Sequence, residues 1–130
     1  MTLVDTNVIL DVLLADAEHA EESERRLGAA SRHGPLVVND LIAAELAPVF
    51  ETPSYLWAAL ADAEIDLVPY PRDAIHLAGR AFKRYRQRGG TRSRILPDFL
   101  IAAHAIAANA RLLTRDRGFY RTFFPTVRLA

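Results

Sequence analysis

The 130-residue sequence predicts an α/β fold, a three-layer α/β/α sandwich built on a short, mainly parallel sheet of five strands. Three observations lead there. Its strand-like segments (residues 2–4, 36–38, 65–68, 111–114 and 126–129) are short and largely apolar, as expected of strands covered on both faces. Helix-like segments separate them, supplying the crossovers that parallel strands require. About half of the chain is apolar and a quarter charged, which suits a single domain of residues 1–130 with a real core.

Thr2-Leu3-Val4 is the first strand, and Asp5-Thr6-Asn7 follows as a strand-to-helix turn with N-cap residues in place. Val8 to Leu14 reads as a short buried helix. Residues 17–32 read as an exposed one, with Glu21/Arg25 and Glu22/Arg26 at i,i+4 spacing. Gly34-Pro35 stops it before the second strand, Leu36-Val37-Val38. Asn39-Asp40 caps a helix running to about Phe50, unless Pro48 kinks or ends it sooner. Pro53 opens a helix through about Ala63, and Ile65 to Val68 is the third strand. Pro71-Arg72-Asp73 starts a long helix that ends at Gly89-Gly90. Pro97 sits in the first turn of an almost wholly apolar helix, residues 97–109, which should be buried. Arg111 to Thr114 is the fourth strand, residues 118–124 a short aromatic helix, and Thr126 to Leu129 the last strand. Internal repeats, low-complexity tracts and linkers are absent, and the loop at 89–95 is the most mobile candidate.

Composition removes several function classes. Without cysteine there are no disulfides, thiolate zinc sites, iron–sulfur clusters or thiol nucleophile. No apolar run approaches the ~20 residues of a membrane span. Met1-Thr2-Leu3-Val4-Asp5 lacks the basic start of a signal peptide, so a cytoplasmic domain is expected. A glycine-rich phosphate loop and a nucleophile-elbow serine are also missing. The zero net charge conceals an asymmetry: residues 1–73 hold fourteen Asp/Glu against four Arg, and residues 74–130 hold two Asp against eleven Arg and one Lys. Such polarity points either to an anionic partner or to two halves that neutralise one another.

Four carboxylates stand out. In a parallel sheet, function gathers beyond the carboxyl ends of the strands, where Asp5 and Asp116 fall. Singly, each has a structural explanation: Asp5 as a helix cap, Asp116 as part of the turn Arg115-Asp116-Arg117-Gly118. Glu45 falls on the apolar stripe of Leu41, Ile42, Leu46 and Val49, where a carboxylate is costly unless paired, metal-bound or able to reach solvent from an edge. Asp98 is the only acid between Ile95 and Ala110, in the first turn of the apolar helix, where the helix N-terminus also favours it. Four such acids on one rim repel one another, and a hard divalent cation with oxygen ligands resolves the repulsion. Metal-assisted attack of water on a phosphodiester is the reaction that best suits them. Arg80, Arg84 and Arg88 recur along one face of the long helix, with Ile75, Ala78, Phe82 and Tyr85 towards the core. Arg92 and Arg94 extend the charge to the loop before Asp98, as a track for an anionic polymer or as a solvated face. Trp57 and Tyr55, on an alanine-rich helix, read as core or dimer contacts, and His104 as an interior or rim residue.

Together these segments resemble a PIN-domain ribonuclease, the toxin of a VapBC-type toxin–antitoxin pair. The resemblance covers the whole chain. It rests on Leu3-Val4-Asp5-Thr6-Asn7-Val8-Ile9-Leu10, on Ala43-Ala44-Glu45-Leu46, on Asp98 to Ala105, and on Leu112-Leu113-Thr114-Arg115-Asp116-Arg117-Gly118-Phe119. It implies a PIN-like fold, endoribonuclease activity dependent on Mg²⁺ or Mn²⁺, an RNA substrate (tRNA, rRNA or mRNA), a VapB-type antitoxin and a homodimer. By position, Asp5 and Asp98 are the principal metal ligands, Glu45 and Asp116 complete the acidic site directly or through water, and Thr6, Asn7 and Thr114 orient the carboxylates or the phosphate. Members often carry a further acid or Asn soon after the last Asp. Here Gly118 and Phe119 follow Arg117, which counts against a stable second metal site. The rival is a non-catalytic PIN-like RNA-binding or scaffold domain. A receiver domain lacks its strand-end lysine here, since Lys83 lies within a helix. A haloacid-dehalogenase-type phosphatase lacks its second Asp, since Asn7 stands there.

Overall fold

The computed structural model describes residues 1–130. Five strands, β1 (Thr2–Val4), β2 (Leu36–Val38), β3 (Ile65–Leu67), β4 (Arg111–Leu113) and β5 (Arg128–Leu129), form one sheet in the order β3-β2-β1-β4-β5. Every neighbouring pair is parallel. Seven helices cover it: α1 (Thr6–Leu13), α2 (Ala20–Ser31), α3 (Asp40–Leu46), α4 (Pro53–Asp62), α5 (Arg72–Gln87), α6 (Pro97–Ala107) and α7 (Arg117–Phe123).

Registration places Leu3 beside both Val37 and Leu112, and all three are buried. Full burial of such side chains contributes roughly 1.5–3 kcal/mol each, so the short central strands are held by their coverage rather than by their length. The edge strands β3 and β5 are the exceptions to two-faced burial, with Arg128 of β5 exposed and Leu129 half-buried. At its edge β3 buries Ile65 and exposes Asp66 and Leu67. Chain order diverges at β1, with β2 and β3 to one side and β4 and β5 to the other. The carboxyl ends of β1 and β4 therefore border a topological switch point, the place where open α/β sheets carry their sites.

Side-chain caps explain three of the seven helix starts. Asp5 accepts from the Thr6 amide, Asn39 from the Ile42 amide, and Thr52 from the Tyr55 amide. α1 begins at Thr6, two residues before the expected Val8. α2 begins at Ala20 because the Asp16 carboxylate accepts from the Glu18 and His19 amides, holding residues 16–19 as a turn. α3 ends at Leu46 instead of Phe50, and Pro48 lies in the 3₁₀ turn Ala47–Val49 that follows.

α5 packs along α6 through Ala74, Ala78 and Ala103, all without solvent exposure, and through Phe82 and Tyr85 against Phe99. Ile75, expected on this inner face, is 58% exposed, because the alanines at 74, 78 and 81 define the buried stripe and Ile75 falls outside it. Trp57 and Tyr55 are also exposed. Leu56 and Leu60 take the inner side of α4, so the two aromatics are not core.

Candidate metal centre

Asp5 follows β1 directly and is 4% exposed. Its Oδ1 accepts from the Thr6 amide at 2.8 Å, which is the N-cap bond of α1. Its Oδ2 accepts from Thr114 Oγ1 at 2.7 Å and more distantly from Asn7 Nδ2 at 3.4 Å. Thr114, just past β4, also accepts from Asn7 Nδ2 and from the Asp116 amide, while the Asn7 Oδ1 accepts from the Arg115 amide. Two adjacent strand ends are thereby tied around one carboxylate.

Asp98 occupies the first turn of α6 and is partly exposed. Tyr120 of α7, fully buried, places its hydroxyl 3.3 Å from Asp98 Oδ1 and 3.4 Å from Asp5 Oδ2. Burial above all raises the Asp5 carboxyl from its ordinary value. Asp98 and Glu45 add to the rise, and the bonds from Thr114 and Thr6 oppose it. The Asp98 carboxyl is raised likewise, first by burial and then by Asp116, against the bond from Tyr120.

Glu45 departs from expectation. Its side chain is not on the core stripe: Ile42, Ala43 and Leu46 are the buried residues of α3, and Glu45 is exposed at the edge of that stripe. From there its Oε1 accepts from Thr6 Oγ1 at 2.9 Å, which keeps it beside Asp5. Asp116 precedes α7 and is exposed. Thus Asp5, Asp98, Glu45 and Asp116 share one rim, with Asp5 the deepest.

This donor set consists of oxygen alone, and none of the four carboxylates forms an ion pair with a Lys, Arg or His. An uncompensated carboxylate rim of this kind, with Asp5 buried at its base, fits a hard divalent cation. No three of the four approach within 4.8 Å of one another, as side chains encircling a cation would. The arrangement fits an ion held by one or two carboxylates that retains several waters, the usual habit of Mg²⁺.

Asp11, Asp16 and His19 do bring ligand atoms within 4.8 Å of one another, but those atoms already have hydrogen-bond partners. Asp11 Oδ2 accepts from Arg115 Nε at 2.7 Å and from Ser23 Oγ at 2.6 Å, and His19 Nδ1 lies 3.1 Å from Asp16. The Asp11–Arg115 ion pair braces the loop carrying Asp116. His104 is 3% exposed, with Nδ1 3.1 Å from the Asn39 amide nitrogen. Because the Asn39 oxygen is committed to Ile42, that nitrogen donates and His104 Nδ1 accepts. Burial lowers the His104 pKa, in keeping with a neutral ring.

Arg80, Arg84, Arg88, Arg92 and Arg94 are all exposed and all lack an acidic partner. Arg84 and Arg88 border a cleft with Thr122 and Phe123 of α7. The loop bearing Arg92 is braced to α5, its carbonyl accepting from Arg86 and its amide donating to the Tyr85 hydroxyl.

Tyr120, Ser23, and Asp11 and Arg115 as an ion pair were not among the expected site residues. Tyr120 lies four residues after Asp116, which places it on the inward face of α7. In sequence its hydroxyl is masked by Phe119, Phe123 and Phe124, which read together as an apolar cluster.

The family model of the PIN domain matches residues 2–124. No curated protein matches the chain by sequence. Among solved structures, the chain is similar to one of VapBC2 from Rickettsia felis bound to a DNA fragment from their promoter, with a TM-score of 0.74 at 20% identity over 99% of this chain and 96% of that one. It is similar to VapBC-1 from nontypeable Haemophilus influenzae, with a TM-score of 0.73 at 17% identity over 99% and 96%. A third, FitAcB from Neisseria gonorrhoeae, gives 0.67 at 19% identity over 100% and 97%. At these identities the structures show the fold alone, an α/β fold like the all-parallel five-stranded sheet described above. With the family model spanning all but the two ends, the chain belongs to the PIN domain family.

Proposed function

We propose that this PIN domain is a divalent-metal-dependent endoribonuclease, the toxin of a VapBC-type toxin–antitoxin pair. The observation that carries the reading is Asp5: a buried carboxylate without a counter-cation, flanked by Asp98 and Glu45 at the carboxyl ends of β1 and β4. Asp5 and Asp98 would hold Mg²⁺ or Mn²⁺, with Glu45 and Asp116 completing the site directly or through water. The bound ion would supply an activated water and neutralise charge on the phosphodiester.

The remaining work falls to the chain itself. Thr114 and the Thr6 amide fix the Asp5 rotamer, and Asn7 ties that arrangement to the loop of Asp116. Thr6 Oγ1 orients Glu45. Arg80, Arg84, Arg88, Arg92 and Arg94, free of acidic partners, would lead an RNA backbone to a rim that otherwise repels it. No helix is long and apolar enough to cross a membrane, and we place the protein in the cytoplasm, where its RNA would be. The partners would be a VapB-type antitoxin, in line with the VapBC complexes of similar fold, and a second copy of the chain.

The test is incubation of the purified protein with total RNA, with Mn²⁺ and with a chelator, followed by sequencing of the new ends. Metal-dependent cleavage is expected, falling by orders of magnitude in Asp5→Asn and Asp98→Asn. Binding of RNA without cleavage under any divalent cation would instead make this a non-catalytic RNA-binding domain.

A further inference from the structure

The Tyr120 side chain has no solvent exposure, and its ring is packed edge-on against Phe119 with Phe124 close by. A buried phenol so confined cannot swing its oxygen away, and a buried hydroxyl without a partner is costly. The side-chain partners it has are the two buried-rim carboxylates. At 3.3 and 3.4 Å both contacts exceed the usual 2.7–2.8 Å of an O–H···O bond. The single proton is therefore committed to neither Asp and serves both. The two acids depend on it unequally. Asp5 has donors from Thr6, Thr114 and Asn7 besides, whereas Asp98 has no other side-chain donor.

We propose that Tyr120 is a positioning residue that clamps Asp98 against Asp5, so that the two carboxylates are held ready for one divalent cation. The proposal rests on the reading of Asp5 and Asp98 as cation ligands. Without the hydroxyl, Asp98 keeps its place in α6 but its side chain is free to turn towards solvent, and uptake of the ion must then pay for fixing it again. Phenylalanine fills the same volume and keeps the aromatic packing, so Tyr120→Phe removes the donor alone. Partners that orient a metal ligand in this way are worth about tenfold or more in metal affinity.

The experiment is a calorimetric titration of Mn²⁺ into chelator-stripped wild type, Tyr120→Phe and Asp98→Asn, with the melting temperature of each metal-free protein measured alongside. The expected result is a Tyr120→Phe protein that melts near the wild type without metal yet binds Mn²⁺ about tenfold more weakly. Equal or tighter binding by Tyr120→Phe overturns the clamp while leaving the metal centre standing. A merely structural role would lower the metal-free melting temperature and leave the affinity alone. Absence of Mn²⁺ binding by the wild type, or undiminished binding by Asp98→Asn, overturns the metal centre and the clamp together. Should Tyr120→Phe fail to fold, the tyrosine absorption band of the wild type decides. Mg²⁺ should perturb it in the wild type and not in Asp98→Asn, and an unperturbed band in the wild type overturns the proposal.

Discussion

Asp5 carries two duties that pull in opposite directions. As the N-cap of α1 it stabilises the fold through the Thr6 amide, and as a buried anion beside Asp98 and Glu45 it strains that fold. Its raised pKa decides the sign of the net effect without metal. The folded protein holds the Asp5 proton more tightly than the unfolded chain, whose ordinary value is 3.8. Stability from this group is therefore fully present below that value and is lost as pH rises through the folded pKa. Urea unfolding of wild type and Asp5→Asn in chelator, between about pH 3.5 and 7, should show the wild type losing ground to the mutant as pH rises. The opposite trend would mean that Thr6 and Thr114 favour the anion more than burial disfavours it. At this scale the sequence was partly legible. Asp5 and Asp98 are conspicuous as acids at a strand end and in an apolar helix. Glu45 sits shallower than the apolar pattern predicts because the buried stripe of α3 is Ile42, Ala43 and Leu46, and at about 100° per residue Glu45 falls at its edge. The Asp11–Arg115 pair spans 104 residues and leaves no local trace.

Elements were more legible than residues, because short apolar strands and helix caps are written locally. Asn39, Thr52 and the two Pro-initiated helices α4 and α6 begin where their cap residues or prolines place them. Misplaced boundaries have local causes of another kind, such as the Asp16 turn before α2 and the Pro48 turn after α3. On α5 the three alanines rather than the bulky apolar residues mark the buried face, since only small side chains let α5 and α6 approach. That orientation turns Arg80 and Arg84 outward with Lys83. On single-stranded RNA each phosphate neutralised contributes roughly −0.7 to the slope of log affinity against log salt. Replacing Arg84, Arg88, Arg92 and Arg94 with Gln should therefore flatten that slope by about 2–3 units in a filter-binding titration. Cleavage of a saturating dinucleotide-scale substrate should change far less. An unaltered slope would reduce the arginines to surface charge. Because Arg92 braces its loop through backbone atoms, the substitution there leaves the loop tied to α5.

For the molecule as a whole, the acid rim is a local cost set against a well-buried sheet. A cation that binds the folded state alone repays part of it: at a hundredfold excess over Kd the gain is about 2.7 kcal/mol. For a chain of this size that corresponds to a rise in melting temperature of about 10 °C. Calorimetry with Mn²⁺ should show this rise in the wild type and a smaller one in Glu45→Gln, whose metal-free form should be at least as stable as the wild type. A Glu45→Gln protein much less stable without metal would show that the Glu45 charge supports the fold. The asymmetry between the acidic and basic halves survives folding in one respect: the arginines of α5 and of the loop after it find no acid in the first half to pair with.

The central place of β1 also sets an order in time. Its partner β4, the loop bearing Asp116 and the Tyr120 hydroxyl all come from the last fifth of the chain, while Asp5 comes from its first residues. A ribosome adding ~5–20 residues per second needs roughly 5–20 s to pass from Asp5 to Asp116. Throughout that interval the nascent chain carries at most three of the four rim acids, Asp5, Glu45 and Asp98, and no complete site. A chain released early, by a stalled ribosome or a broken message, would lack Asp116 and the Tyr120 hydroxyl, so the topology itself defers assembly of the proposed metal centre until synthesis is nearly done.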